Sequence, residues 1–170
     1  MIPSPAEPHS LSADQVERFA RQIIVPGVGA EGQLRLCAAR VFVDGHPEGA
    51  RIATQYLRAA GVTVYVATTP PPHLDCVVLA GACDLSPGRI STLAEASPLV
   101  AWYTVVGRTV RGGLAQSPFS MREVAPSRDD PDPLRGTSPH RIAGADVATT
   151  VVAALLGWMH PGESYELELG

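Results

Sequence analysis

The chain has 170 residues, 45% of them hydrophobic but only 5% aromatic, and a formal net charge of −4. That length supports one domain with a full core, filled mainly by Ala, Val and Leu. The acidic balance leaves no excess of cations to neutralise phosphates, which argues against a nucleic-acid partner. All 13 basic residues are arginine, which excludes Schiff-base chemistry and a phosphate-loop lysine.

Residues 1–10 are Pro-rich and carry no arginine, so they are expected to be a disordered leader rather than a secretion signal. Residues 11–170 are expected to form a single domain. Ser12 followed by Gln15 has the spacing of a capping box and predicts a helix to about Ile24, broken by Pro26-Gly27. A second helix is expected over Glu31–Ala39, with Leu34 and Leu36 inward and Arg35 outward. Arg40–Asp44 predicts a strand ending at Gly45. Glu48–Ala60 predicts a helix with Ile52, Ala53, Tyr56 and Leu57 on its apolar face, stopped by Gly61. Val62–Ala67 predicts a second strand, completing a strand–helix–strand unit of a parallel sheet.

Three prolines stiffen the loop Thr68–Leu74, and Asp75–Gly81 predicts a third, buried strand. Ser86-Pro87 opens a helix to about Ala96. Leu99–Val106 and Arg108–Gln116 predict an antiparallel pair turning at Gly107. Residues 125–141 are dense in Pro, Asp, Arg and Ser and predict a flexible loop. Ala143–Met159 predicts a buried helix ended by Gly162, and Tyr165–Leu169 alternates as an edge strand does.

Cys37, Cys76 and Cys83 form no Cys-x-x-Cys pair, and His9, His46, His73, His140 and His160 are scattered, so no metal site is expected. The odd cysteine count suggests a reducing, cytoplasmic setting. No apolar run reaches the ~20 residues of a membrane span.

The front end, Arg18-Phe19-Ala20-Arg21-Gln22-Ile23-Ile24-Val25-Pro26-Gly27-Val28-Gly29, then Glu31-Gly32-Gln33, resembles the opening of the ThiF/MoeB and ubiquitin-activating-enzyme family. The likeness continues through Ala39-Arg40-Val41-Phe42-Val43-Asp44-Gly45 and Gln55-Tyr56-Leu57-Arg58-Ala59-Ala60-Gly61-Val62. It implies an α/β fold: a Rossmann-like, mainly parallel sheet with flanking helices, two N-terminal helices and antiparallel C-terminal strands. It also implies a dimer formed through the front end, with Arg18, Phe19, Arg21, Gln22, Ile23 and Ile24 at the interface, and Val25 and Leu36 at or near it.

The departures mark a truncated, degenerate relative. Where the family has a glycine-rich phosphate loop, this chain has Gly45-His46-Pro47-Glu48-Gly49. Pro47 removes an N–H donor, and Glu48 puts a carboxylate where phosphates would lie. Thr68 or a neighbour stands where the family grips the ribose with an acid, and Asp84 is the nearest candidate for the magnesium-binding Asp, in a different motif. ATP binding is therefore expected to be lost and no cofactor to be held. The family's second arginine, here Arg21, reaches across the dimer into the partner's ATP site.

The resemblance therefore implies a non-catalytic subunit that pairs with an active adenylyltransferase or with itself. It would donate Arg21 in a sulfur-carrier, ubiquitin-like or peptide-modifying pathway, with a ubiquitin-like carrier or a peptide as a further partner. The alternative is a repurposed enzyme or small-ligand-binding protein using the cleft around Gly45–Gly49, Thr68–Pro72 and Gly81–Ser86. There His46 is a candidate base and Cys83 a candidate nucleophile, against plainer readings as an exposed loop histidine and an idle thiol. Cys76 reads as a small core residue, Arg18 as a helix-surface arginine paired with Asp14 or Glu17, and Asp44 as a helix cap or loop contact.

Overall fold

The computed structural model describes residues 10–81, 86–116 and 138–169. The leader up to residue 9, Cys83 and Asp84, and the expected loop up to residue 137 lie outside the described residues.

The capping box forms as the spacing requires: the Ser12 hydroxyl accepts from the Gln15 amide, and the Gln15 side chain accepts from the Ser12 amide. The helix that it starts, α1 (Ala13–Arg18), stops at Phe19, whose φ of −103° and ψ of 14° leave the helical region. A single turn, α2 (Ala20–Ile23), follows. The predicted first helix is thus two pieces, because the Phe19 ring turns inward and is 3% exposed. Helix α3 (Gly29–Ala38) begins two residues earlier than predicted, so three short helices, not two, precede the sheet.

Six strands make one sheet in the order β2-β1-β3-β4-β5-β6. They are β1 (Arg40–Gly45), β2 (Thr63–Tyr65), β3 (Cys76–Ala80), β4 (Leu99–Val106), β5 (Thr109–Gln116) and β6 (Ser164–Glu168). The first four are parallel to their neighbours, while β4–β5 and β5–β6 are antiparallel. The predicted turn holds, with Gly107 at φ +60°. The second strand is shorter than Val62–Ala67, since the chain leaves the sheet after Tyr65 and Val66 stands exposed.

Strand periodicity divides the core between the two faces. Val41, Val43, Cys76, Val78, Ala101 and Tyr103 face one cluster, covered by α4 (Pro47–Ala59) and α6 (Pro139–Leu156). Phe42, Val77, Leu79 and Val100 face the other, joined there by Leu93 from α5 (Pro87–Ala96). Helix α4 buries Ile52, Ala53 and Leu57 as predicted, but Tyr56 turns out to solvent. Helices α4 and α6 cross so closely that a Cβ on Gly144 would sit 2.5 Å from the Gly49 carbonyl oxygen.

Helix α6 differs from its predicted bounds at both ends. Pro139 takes the first helical position, so residues 139–141 belong to the helix rather than to a loop. It ends at Gly157, not Gly162. Gly157 sits at φ +76°, its N–H bonds to the Ala154 carbonyl, and the Trp158 N–H bonds to Ala153, a Schellman stop. Among the described residues, no helix is long and apolar enough to cross a membrane.

Candidate functional site

The front-end motif meets the C-terminal end of α4. A helix leaves its last four carbonyls without internal partners. Here three side chains reach them: Arg18 donates to the Arg58 carbonyl at 3.5 Å, Gln22 to Ala59 at 3.0 Å and Gln33 to Ala60 at 2.9 Å. Gln33 is fully buried and also lies 3.6 Å from the Cys37 sulfur. Gly61, at φ +98°, lets the chain turn so tightly that a Cβ there would meet Phe19, Gln33 and Cys37 at 3.0 Å each.

Most residues named from the front-end motif are therefore engaged within the chain. Arg18 stacks its guanidinium over Phe19 at 5.1 Å and binds Arg58, rather than pairing with Asp14 or Glu17. Phe19 and Leu36 are buried in the chain itself, leaving little of either for a partner. Ile23 is half-buried. Arg21, by contrast, is exposed, and its guanidinium has no partner among the described residues. Ile24 and Val25 beside it are exposed apolar side chains, as is Trp158, whose ring packs at Gly27.

The other end of α4 lies at the carboxyl ends of β1 and β3, where open α/β sheets hold ligands. Gly45 has φ +123°, and any Cβ there would strike the Ala80 backbone at 2.5 Å. The His46 N–H donates to the Ala80 carbonyl at 2.6 Å. Pro47 occupies the first helical position and Glu48 the first turn. The Glu48 carboxylate lies 3.7 Å from Arg141 of α6. Such an acid suits the positive end of the helix dipole.

His46, far from being an exposed loop residue, stacks on His140 with ring centroids 3.6 Å apart and planes 8° from parallel. His140 Nδ1 lies 3.1 Å from the hydroxyl of Tyr103, which is wholly buried in the middle of β4. His46 Nδ1 is buried with no partner among the described residues. The Tyr103 ring fills the space beside Gly49, where an added Cβ would fall 1.7 Å from the Tyr103 oxygen and 3.3 Å from the His140 carbonyl. The three rings can hold and exchange protons. Sequence reasoning missed Tyr103 and placed His140 in a loop, so their meeting was invisible. The Pro139 helix-start signal was the one clue to it.

Asp44 is neither a helix cap nor a plain loop contact. Its carboxylate is ion-paired with Arg89 of α5, which also donates to the Thr68 carbonyl at 2.8 Å. This straps α5 to the ends of β1 and β2. Between α4 and those strand ends lies a cleft of about 850 Å³, lined by Ala50 and Thr54 of α4, by Val43 of β1 and by Val66, Ala67 and Thr68 beyond β2. Of the cleft predicted over Gly45–Gly49, Thr68–Pro72 and Gly81–Ser86, only Gly45, Pro47 and Thr68 line this one; His46, Glu48, Gly49, Pro70–Pro72, Gly81 and Ser86 do not, and residues 82–85 lie outside the described residues.

Cys76 is a core residue, as read from sequence. Burial pushes its thiol up to about 12, offset in part by a backbone hydrogen bond at Ala101. Burial also raises the Tyr165 phenol, as does the neighbouring Asp146 carboxylate. No group of three or more His, Cys, Asp or Glu side chains among the described residues could hold a metal ion.

No model of a known protein family matches the chain. Several curated proteins do match part of it. Adenylyltransferase and sulfurtransferase MOCS3 of Bos taurus is 45% identical over 60 residues, covering 35% of this chain and 13% of the relative. SAMP-activating enzyme E1 of Haloferax volcanii is 49% identical over 53 residues, 31% of this chain and 20% of the relative. The probable adenylyltransferase/sulfurtransferase MoeZ of Mycobacterium tuberculosis is 44% identical over 62 residues, 36% of this chain and 16% of the relative. The chain thus matches only a fifth or less of the length of each.

Among solved structures, a heterocyclase in complex with substrate and cofactor superposes with a TM-score of 0.60 at 12% identity, covering 98% of this chain and 26% of that one. Escherichia coli MccB with MccA gives 0.56 at 11% identity, covering 94% and 74%. These likenesses are of fold. Over about a third of its length the chain is thus similar in sequence to adenylyltransferases of the ThiF/MoeB type, and the superpositions show that it shares their α/β fold.

Proposed function

We propose that this chain is a non-catalytic ThiF/MoeB-like subunit that dimerises with an active adenylyltransferase, or with itself, and lends Arg21 to the partner's ATP site. The observation that carries the reading is the division of labour in the front-end motif. Arg18, Phe19, Gln22 and Gln33 hold the end of α4, whereas Arg21 has no such task and points to solvent beside Ile24 and Val25. A planar, permanently charged guanidinium suits a triphosphate held by another subunit.

The N-terminus of α4 does not fit a triphosphate of its own. Pro47 has no N–H, the His46 N–H is already bonded, and Glu48 brings an anion to the helix end. Stacked His46 and His140 stand beside it. These features support loss of ATP binding by this chain and a role completed only in an assembly.

The relatives are named as an adenylyltransferase and sulfurtransferase and as an activating enzyme E1, and MccB was solved with MccA; these names support a sulfur-carrier, ubiquitin-like or peptide-modifying setting for the proposed assembly. A carrier protein or peptide is accordingly the substrate expected of the assembly. The test is ATP–pyrophosphate exchange by a co-purified partner adenylyltransferase, with wild-type chain and with Arg21→Ala. The reading requires an intact complex whose exchange falls at least about tenfold, the loss of one charged contact in the transition state. Full activity in an intact Arg21→Ala complex removes the donated-arginine role.

A further inference from the structure

We infer that the cleft between α4 and the ends of β1 and β2 is a binding site for a small amphipathic carboxylic acid. This goes beyond the subunit role and does not depend on Arg21. The cleft, of about 850 Å³, falls in the size range of small-molecule sites. Ala50, Val66 and Ala67 give it apolar surface, and Val66 is 61% exposed at its edge.

Its charge is the opposite of the molecule's. The chain carries −4 overall. Yet the charged residues lining the cleft are Arg51, Arg58 and Asp44, and Asp44 is neutralised by Arg89. Arg51, Gln55 and Arg58 follow one another at four- and three-residue spacing, so they form one polar stripe along α4 above the apolar surface. Apolar floor and cationic rim together ask for an alkyl or aryl body bearing an anion.

A second observation points the same way. Thr54 lines the cleft, is 9% exposed, and its hydroxyl has no partner among the described residues. Buried hydroxyls are ordinarily satisfied, so this orphan, which has no accessible surface of its own, can pair with a bound polar group once Thr54 turns about χ1 toward the cleft. The arginines sit on the flank of α4, not at its N-terminus, and Glu48 guards that end. The arrangement therefore selects an acid with an apolar body over a nucleotide, whose phosphates need backbone donors.

Backbone amide NMR titration of the full chain tests this with octanoate and phenylbutyrate as probes, and octanol, inorganic phosphate and Mg-ATP as comparisons. At least one acid should shift the amides of Val43–Gly45, Thr54 and Val66–Thr68 saturably, with a Kd at or below about 1 mM. The Arg51→Ala/Arg58→Ala double variant, with its spectrum otherwise preserved, should weaken that binding at least about tenfold. Octanol should bind more weakly than octanoate, and phosphate should not saturate.

The inference is overturned if neither acid saturates, if the double variant binds as well as wild type, or if the shifts lie elsewhere. Phosphate binding as tightly as the acids overturns it too. Saturation by Mg-ATP at these amides would instead contradict the proposed function, so the two failures are distinguishable.

Discussion

Replacing Gln33 by Ala removes the buried amide that closes the end of α4. The native side chain donates 2.9 Å to the Ala60 carbonyl and reaches the Cys37 sulfur at 3.6 Å. Truncation leaves that carbonyl unsatisfied where water has no easy access, a loss of about 1–3 kcal/mol. One term opposes it: Gln33 Oε1 is already buried without a partner, and its removal is a relief. A net loss of about 2 kcal/mol follows, which in a chain of this size lowers Tm by about 4–8 °C. Arg21→Ala, at an exposed position, should stay within about 0.5 kcal/mol of wild type. Urea unfolding of the two variants side by side measures both. The reasoning fails if Gln33→Ala is as stable as wild type, or if Arg21→Ala falls as far as Gln33→Ala. In the second case Arg21 would be holding the fold together, with nothing left to lend.

Gly49→Ala drives a methyl into the Tyr103 hydroxyl, 1.7 Å from the added carbon, and should destabilise by about 3 kcal/mol. Tyr103→Phe in the same chain should restore part of that loss, and a double-mutant cycle measures the coupling. Arg89→Ala leaves the Asp44 carboxylate and the Thr68 carbonyl without their partner and should lower stability by about 1–2 kcal/mol, read by chemical denaturation. Cys76 has a folded-state pKa raised from 9.0 to about 12, so its contribution is fully present below pH 9.0 and is lost as pH rises through about 12. Wild type should therefore lose more stability than Cys76→Ala between pH 8 and pH 11 in unfolding titrations, and native Cys76 should resist iodoacetamide at pH 8.

Local chemistry made the elements legible. The Ser12/Gln15 cap, the Gly61 stop, the Pro87 start and the Gly107 turn each act through their nearest neighbours, and each is found in place. Boundaries went astray where a distant partner decides. Phe19 breaks its helix in order to bury its ring, and α6 ends at Gly157 because a left-handed cap forms there before Gly162 is reached. The site was half legible. Gly45, Pro47 and Glu48 stand out against a family pattern in sequence, but Tyr103 and His140 belong to elements far apart in the chain: the α4–α6 crossing brings His140 to His46, and the packing of α6 on β4 brings it to Tyr103. The Arg89 strap was hidden for the same reason. The caps that Arg18, Gln22 and Gln33 place on α4 join residues up to 40 apart in sequence, so their purpose could not be read from spacing along one helix.

Isothermal titration of Mg-ATP into the purified chain tests the central claim most directly, that the start of α4 no longer receives a triphosphate. The account predicts no saturable heat at ligand concentrations up to about 1 mM. Stoichiometric binding with a Kd of about 10 μM or tighter would contradict it, and would require Pro47 and Glu48 to move aside for phosphates.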